Sequence, residues 1–357
     1  MKYLTIRADS TSHIGTGHIM RCIALGQAWQ DNGGEVVFIS RCESAALKKR
    51  LIDEGFVFLS LDKCHPDPFD LEYTLNDLHK HRTQQSTLNT WLVVDGYHFD
   101  LVYQKSIKEA DYNLLWIDDY GHVEHYYADL VLNQNISADA SFYTNHEPYT
   151  RLLLGTRYAL LRREFKQWQS WQRDIPDIAR KVLVTLGGGD PDNVTLKVIQ
   201  ALKQVNISGL EVKIVIGPAN PNLQTLAQEI DNHSSMQIVT NATNMPELMA
   251  WADVAISAGG STCWEMALLG LPNIIIYFAE NQRPIAEKLH DVGAAMSLGW
   301  CHELSIEVIT QQMEHFLLSQ ERRKKYSTSS KHFVDGSGSQ RVCQEILKTL
   351  SHNRTIL

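Results

Sequence analysis

The feature that most restricts this chain is a rhythm: short, continuously apolar runs alternate with segments of helical period, and the rhythm restarts once. Tyr3–Ile6, Val36–Ile39, Phe56–Leu59, Trp91–Val94, Leu114–Ile117 and Leu130–Leu132 read as strands. Between them, His18–Asn32, Ser44–Glu54 and Leu71–His81 carry helical spacing, the first stopped by Gly33-Gly34 and the second by Gly55. Strands that lack polar alternation and are separated by helices belong to a parallel sheet covered on both faces.

After a polar, Trp-bearing stretch at Phe165–Arg173 and then Pro176, a second series begins. Its strands are Val182–Leu186, Val212–Ile216 (running into Gly217-Pro218), Gln237–Val239, Val254–Ser257 and Asn273–Tyr277. Helical segments lie at Asn193–Val205, Leu223–Ile230, Pro246–Trp251, Thr262–Leu269 and Gln282–Val292, and the remainder reads as mostly helical. The expectation is an α/β protein with two Rossmann-like parallel-sheet domains facing across a cleft. The first spans 1–165 and the second 166–335, with a linker near 165–180. Residues 336–357 form a C-terminal helix packing back on the first domain. Open sheets of this kind bind ligands at the C-terminal ends of their strands, so the site is expected in the cleft.

Composition narrows the partners. Of 357 residues, 44% are hydrophobic and 21% charged, and 33 basic against 41 acidic residues leave a net charge of −8. That argues against broad binding to nucleic acid or anionic membrane, while leaving room for a local anion site. No apolar run approaches the roughly 20 residues of a membrane span. Met1–Ile6 turns polar too soon for a signal peptide, so a cytoplasmic protein is expected. The six cysteines form no C-x-x-C pair, and the fifteen histidines are dispersed. Neither His79/His81 nor His122/His125 has zinc-helix spacing, so no metal and no cofactor are expected.

Three glycine-rich turns can carry chemistry. Gly15-Thr16-Gly17-His18 follows the first strand and opens the first helix, where N–H groups attract anions. His18 lies in the first turn, where the helix dipole favours a neutral imidazole able to act as a base; a capping or packing histidine is the structural alternative. Gly187-Gly188-Gly189-Asp190-Pro191-Asp192 opens the second series; Asp190-Pro191-Asp192 matches a D-x-D metal signature superficially, but a helix start repels cations, so a capping role is expected and neither Asp190 nor Asp192 is expected to hold a metal. Gly259-Gly260-Ser261-Thr262 offers N–H and hydroxyl donors to a pyrophosphate. Glu265, one turn on, can accept from two ribose hydroxyls or simply be a solvated carboxylate. Asn281-Gln282 offers amide donors or caps a helix. Asp118-Asp119 is no carboxylate pair, because neighbours on an extended chain point apart.

These residues support a more specific resemblance. Arg7-Ala8-Asp9-Ser10 through Ile14-Gly15-Thr16-Gly17-His18-Ile19-Met20-Arg21-Cys22 resembles the N-terminus of PseG, the UDP-sugar hydrolase family of pseudaminic acid biosynthesis. Val94-Asp95-Gly96-Tyr97, Ile117-Asp118-Asp119, Leu130 to Asn135, Leu154 to Arg162 and Leu186 to Asn193 continue the likeness. The stretch from Met245 to Gln282 also resembles the nucleotide-binding half of MurG, the peptidoglycan N-acetylglucosaminyl transferase. The similarity covers about residues 3–295.

The resemblance implies a GT-B fold; separately, a monomer is expected. The implied activity is metal-free, inverting hydrolysis of UDP-2,4-diacetamido-2,4,6-trideoxy-β-L-altropyranose at C1, yielding UDP and a sugar destined for flagellin or surface polysaccharide. By residue matching, His18 is the general base and Tyr97 the assisting hydroxyl. Substrate contacts fall at Gly15, Thr16, Gly17, Arg21, Gly187, Gly188, Met245, Gly259, Gly260, Ser261, Thr262, Glu265, Asn281 and Gln282. A retaining route would need a carboxylate nucleophile, and none accompanies the glycine loop beside His18. A MurG-like transferase using a UDP-sugar donor is the competing activity, and a non-catalytic nucleotide-sugar-binding protein the competing class.

Overall fold

In the computed structural model, which describes residues 2–83, 90–217, 220–240 and 242–352, both series of apolar runs pair into parallel sheets. Pro218 lies outside the described residues. The first sheet uses β1 (Lys2–Ala8), β2 (Gly34–Ser40), β3 (Val57–Ser60), β4 (Thr90–Asp95), β5 (Asn113–Ile117), β6 (Leu130–Asn133) and β7 (Arg151–Leu154) in the order β3-β2-β1-β4-β5-β6-β7. Its helices are α1 (Gly17–Asp31), α2 (Ala45–Asp53), α3 (Pro68–Thr83) and α4 (Leu101–Glu109). The second sheet has β8 (Lys181–Thr185), β9 (Glu211–Ile216), β10 (Met236–Thr240), β11 (Val254–Ser257), β12 (Asn273–Tyr277) and β13 (Met296–Trp300), ordered β10-β9-β8-β11-β12-β13. It is joined by α5 (Val194–Leu202), α6 (Leu223–Ile230), α7 (Met245–Trp251), α8 (Thr262–Leu268) and α9 (Arg283–Asp291). Then follow α10 (Ile306–Leu318), α11 (Gln320–Lys331) and α12 (Gly338–His352).

The chain divides into two compact units. One holds residues 1–14, 18–163 and 337–357; the other holds 15–17 and 164–336. In the first unit the pleat sorts side chains by parity. Leu4, Ile6, Trp91, Val93, Leu115 and Ile117 face one core with Ile19, Cys22 and Ile23 of α1. Leu92, Val94, Leu114 and Trp116 face the other, with Tyr103 and Ile107 of α4. Val342, Cys343 and Ile346 of α12 join the α1-side core, and Ser339 Oγ donates to the Leu161 carbonyl at 3.1 Å. Helices α10 and α11 instead belong to the second unit: Ile309, Met313 and Phe316 pack into its core, and Arg323 donates to the Phe316, Pro176 and Asp177 carbonyls.

Three elements escape the sequence reading. Asp100 caps α4 through the Tyr103 N–H (2.9 Å), but the helix spans only nine residues, which hides its period. Strand β7 is only four residues long. Strand β13 contains Gly299 at φ 106, and its register against β12 shifts between Ile275 and Ile276, so no alternation marks it. Among the described residues no helix is long and apolar enough to cross a membrane.

Beneath the first sheet's C-terminal edge lies a closed ionic cluster. Buried Arg7 donates to both Asp9 and Asp70, and His98 Nε2 lies 2.8 Å from Asp9. Burial alone would raise the Asp9 carboxyl, but the His98 hydrogen bond, Arg7 and the Arg41 N–H bring it down to about 2. Asp118 is likewise held at about 2, burial being outweighed by His122, Tyr126 and the Tyr120 N–H. Depressed carboxyls stabilise the fold above the ordinary carboxylate range and lose that contribution as pH falls towards the folded value. Unfolding by urea should therefore become easier between about pH 4 and pH 2, by roughly 2 kcal/mol for each of the two groups. The Asp9→Asn variant should show a shallower acid slope in the same titration.

Candidate active site

In each sheet the strand order reverses beside the first strand of the series, between β1 and β4 and between β8 and β11. At such a switch point adjacent connections leave in opposite directions and open a crevice at the C-terminal strand ends. The sequence-predicted residues lie on the loops and helix starts after the strands, most of them after β1, β4, β8 and β11, with Met245 after β10 and Asn281-Gln282 after β12.

The loop after β1 carries Gly15, at φ 78 in open space, then Thr16 and Gly17, which begins α1. His18 and Arg21 lie one helical turn apart on α1, both buried. Opposite them stands Asp95, the last residue of β4. It has the parity of Trp91 and Val93 and so points to the α1 side, fully buried. His18 Nδ1 lies 2.6 Å from Asp95 Oδ1. Arg21 donates to Asp95 through Nε (2.7 Å) and Nη2 (2.6 Å), and through Nη1 to both oxygens of Asp119 (2.8 and 3.0 Å). Asn135 Nδ2 donates to Asp119 at 2.6 Å, and the Tyr97 hydroxyl donates to it as well. The rings of His18 and Tyr97 meet edge to face, 4.9 Å between centroids.

The charges compensate one another. Burial alone would raise the Asp95 carboxyl, yet the charges of Arg21 and His18 and their hydrogen bonds hold it far below the ordinary carboxylate range. Arg21 is correspondingly held as a cation by Asp119 and Asp95. An ionised Asp95 on Nδ1 favours the imidazole tautomer with the proton on Nδ1, which leaves Nε2 as the acceptor.

One expectation is corrected here. A carboxylate does accompany the glycine loop beside His18, and it arrives from β4, 77 residues away in sequence. Asp95 and Asp119 both have their oxygens engaged, by Arg21 and His18 and by Arg21, Asn135 and Tyr97, so neither is presented as a free nucleophile. Asp118 and Asp119 do point apart. Asp118 turns to the opposite side, accepting from the N–H groups of Tyr120 and Gly121 (2.9 Å each) and from Tyr126, and this anchors the loop that carries Asp119.

In the second unit Gly187, at φ 91, and Gly188 leave β8 against Gly217 at the end of β9; a Cβ on Gly217 would stand 2.5 Å from Gly188 Cα and 2.8 Å from the Gly187 carbonyl oxygen. Glycine is required there by backbone approach alone. Asp190 caps α5 from four residues upstream, accepting from the N–H groups of Val194 (2.8 Å) and Thr195 (2.9 Å), while Asn193 occupies the N-cap position itself. At the neighbouring switch loop, a side chain on Gly259 would collide with the Gln282 carbonyl, so the 259–262 turn and Asn281-Gln282 are brought together. Gln282 Oε1 accepts from the Phe278 N–H at 3.1 Å and shapes the second turn. Gly260, Cys263 and Trp264 spend their N–H groups inside the first turn. Ser261 and Thr262, at the start of α8, bring their hydroxyls to the same turn. Glu265 follows on α8 and Met245 is the buried first residue of α7. Sequence reasoning missed Asp95, Asp119 and Asn135; strand parity was the signal that could have found Asp95.

Residues 182–342 match the family model for the glycosyltransferase family 28 C-terminal domain. An uncharacterized protein of Methanocaldococcus jannaschii is 26% identical over 288 residues, 78% of this chain and 56% of that protein, so this chain spans just over half its length. The spore coat polysaccharide biosynthesis protein SpsG of Bacillus subtilis is 29% identical over 242 residues, 67% of this chain and 70% of the relative. The UDP-2,4-diacetamido-2,4,6-trideoxy-beta-L-altropyranose hydrolase of Campylobacter jejuni is 28% identical over 296 residues, 82% of this chain and 97% of the relative. Among solved structures, MurG of Acinetobacter baumannii superposes with a TM-score of 0.64 at 16% identity, covering 98% of this chain and 100% of that one. With its two Rossmann-like parallel-sheet units, the chain has a fold of the GT-B type.

Proposed function

We propose that this protein is a UDP-sugar hydrolase that cleaves the C1–O bond of UDP-2,4-diacetamido-2,4,6-trideoxy-β-L-altropyranose with inversion, releasing UDP and the free sugar. The observation that carries the reading is the His18–Asp95 contact of 2.6 Å, which prepares Nε2 as a proton acceptor. The name of the Campylobacter relative supports the substrate class, and the family model over the second unit supports a nucleotide-sugar ligand there.

The chemistry follows from the groups in place. Nε2 of His18 takes a proton from water as the water oxygen attacks C1, and Asp95 compensates the imidazolium that forms. The Tyr97 hydroxyl donates to Asp119 and its ring packs edge to face on His18, so it holds the base in position beside the attacking water. The departing oxygen leaves on UDP, whose developing charge meets the hydroxyl and amide donors of Ser261, Thr262 and Asn281, with Glu265 on the ribose. Gly15–Gly17 lets the sugar approach α1 without steric cost. Since Asp95 and Asp119 are engaged, water is the nucleophile and a single displacement inverts the anomeric centre.

A transferase is the second reading, because the family model matched by residues 182–342 is that of a glycosyltransferase domain. Incubating the protein with the UDP-sugar in water alone separates the two. UDP should be released without an added acceptor; release only on adding a sugar or lipid hydroxyl would make the protein a transferase.

His18→Ala should lower kcat by about 10²–10⁴ with UDP affinity nearly unchanged, and Tyr97→Phe should cost less. Asp95→Asn should fall in the same range, and the double variant should be no worse than His18→Ala, since the pair acts as a unit. Additive losses, with folding verified by circular dichroism, would separate Asp95 from the base. Glu265→Ala should weaken UDP binding by about 1–3 kcal/mol in calorimetry.

A further inference from the structure

Three potential metal ligands from distant segments meet where β13 ends. Asp192 belongs to the loop between β8 and α5, and Cys301 and His302 form the turn directly after β13. One carboxylate oxygen, the thiol sulfur and one imidazole nitrogen all lie within 4.8 Å of one another, with His302 Nε2 3.8 Å from Asp192 Oδ2. Zinc bonds to such ligands are about 2.0–2.3 Å long, which sets tetrahedral neighbours roughly 3.3–3.8 Å apart. Small rotamer changes therefore suffice to close the three groups around one ion.

The bonds to sulfur, nitrogen and carboxylate have to outweigh two positive neighbours, the start of α5 and the Lys197 ammonium. Lys197 Nζ donates to the carbonyls of Cys301 (2.9 Å) and Leu304 (3.1 Å), tying down the turn that bears the thiol and imidazole. The Cys301 side chain is turned inward, at 2% exposure, whereas the side chains of His302 and Asp192 are 62% and 42% exposed and open a path of entry. Binding an ion through sulfur releases the thiol proton to solvent as the metal–sulfur bond forms.

We propose that Asp192, Cys301 and His302 bind one zinc-class divalent ion, with solvent completing the coordination, and that the ion staples the β8–α5 loop to the β13 turn. Oxygen, sulfur and nitrogen donors in one small set suit Zn²⁺ rather than Mg²⁺ or Ca²⁺, which prefer oxygen alone. The staple is independent of the hydrolase reading, because neither His18 nor the 259–262 turn takes part in it.

Cobalt(II) tests the site spectroscopically. Full-length protein, stripped by chelator and titrated with Co²⁺, should bind one equivalent with thiolate-to-cobalt charge-transfer absorption, and Zn²⁺ should displace it. The absorption should vanish in Cys301→Ser. In His302→Ala and in Asp192→Asn, where exposed side chains are changed and folding is preserved, Co²⁺ affinity should fall at least about tenfold. Zn²⁺ should raise the thermal midpoint of the parent chain and not of His302→Ala. Absence of the charge-transfer band, its persistence in Cys301→Ser, or unchanged affinity in both exposed-residue variants would overturn the proposal. UDP release is measured in separate samples, so failure of either idea leaves the other standing.

Discussion

A carboxylate buried at the end of a central strand is tolerable only if its charge is met on the spot, and Asp95 organises the first unit around that requirement. Arg21 answers it with two hydrogen bonds and then reaches on to Asp119, which in turn collects Asn135 and Tyr97. The network ties α1, β4 and the loops after β4, β5 and β6 into one assembly. Removing one member strands the others, the costly asymmetry of buried ion pairs. His18 is the member that faces Asp95 through a single nitrogen, and that is what turns a structural cluster into one suited to proton transfer.

The second unit works by a different device. There the determinants are absences of side chain: Gly217 beneath Gly187 and Gly188, and Gly259 beneath Gln282. Backbone-to-backbone packing of this kind fixes where two turns lie without spending any polar group on the task. The polar groups are instead used at the turns' ends, as Asp190 shows on α5. The first unit thus gathers charged groups around Asp95, whereas the second sets its turns by backbone packing.

The architecture was legible because parallel strands buried on both faces must be continuously apolar, and eleven such runs stand in the sequence at the spacing that helices require. The elements that escaped were those in which local signal is weakest: nine-residue α4, four-residue β7 and β13 with its glycine and shifted register. Their existence follows from packing against neighbours already in place.

His18, Tyr97 and the glycine turns were visible by local pattern and by resemblance, since each sits at a strand-to-helix junction whose residue types are restricted. What the sequence determined by itself was therefore eleven of the strands, their junctions and the place of His18 at the first of those junctions. Only the tertiary structure decided which carboxylate that imidazole meets, because Asp95 reaches it through strand order β1-β4, a long-range pairing that no local window contains. The same holds for Asp192, Cys301 and His302, which fail every test of ligand spacing along the chain. The side chains of 192 and 301–302 converge because the fold brings the β8–α5 loop to the end of β13, and distance in space is set by the sheets, not by the separation of residue numbers.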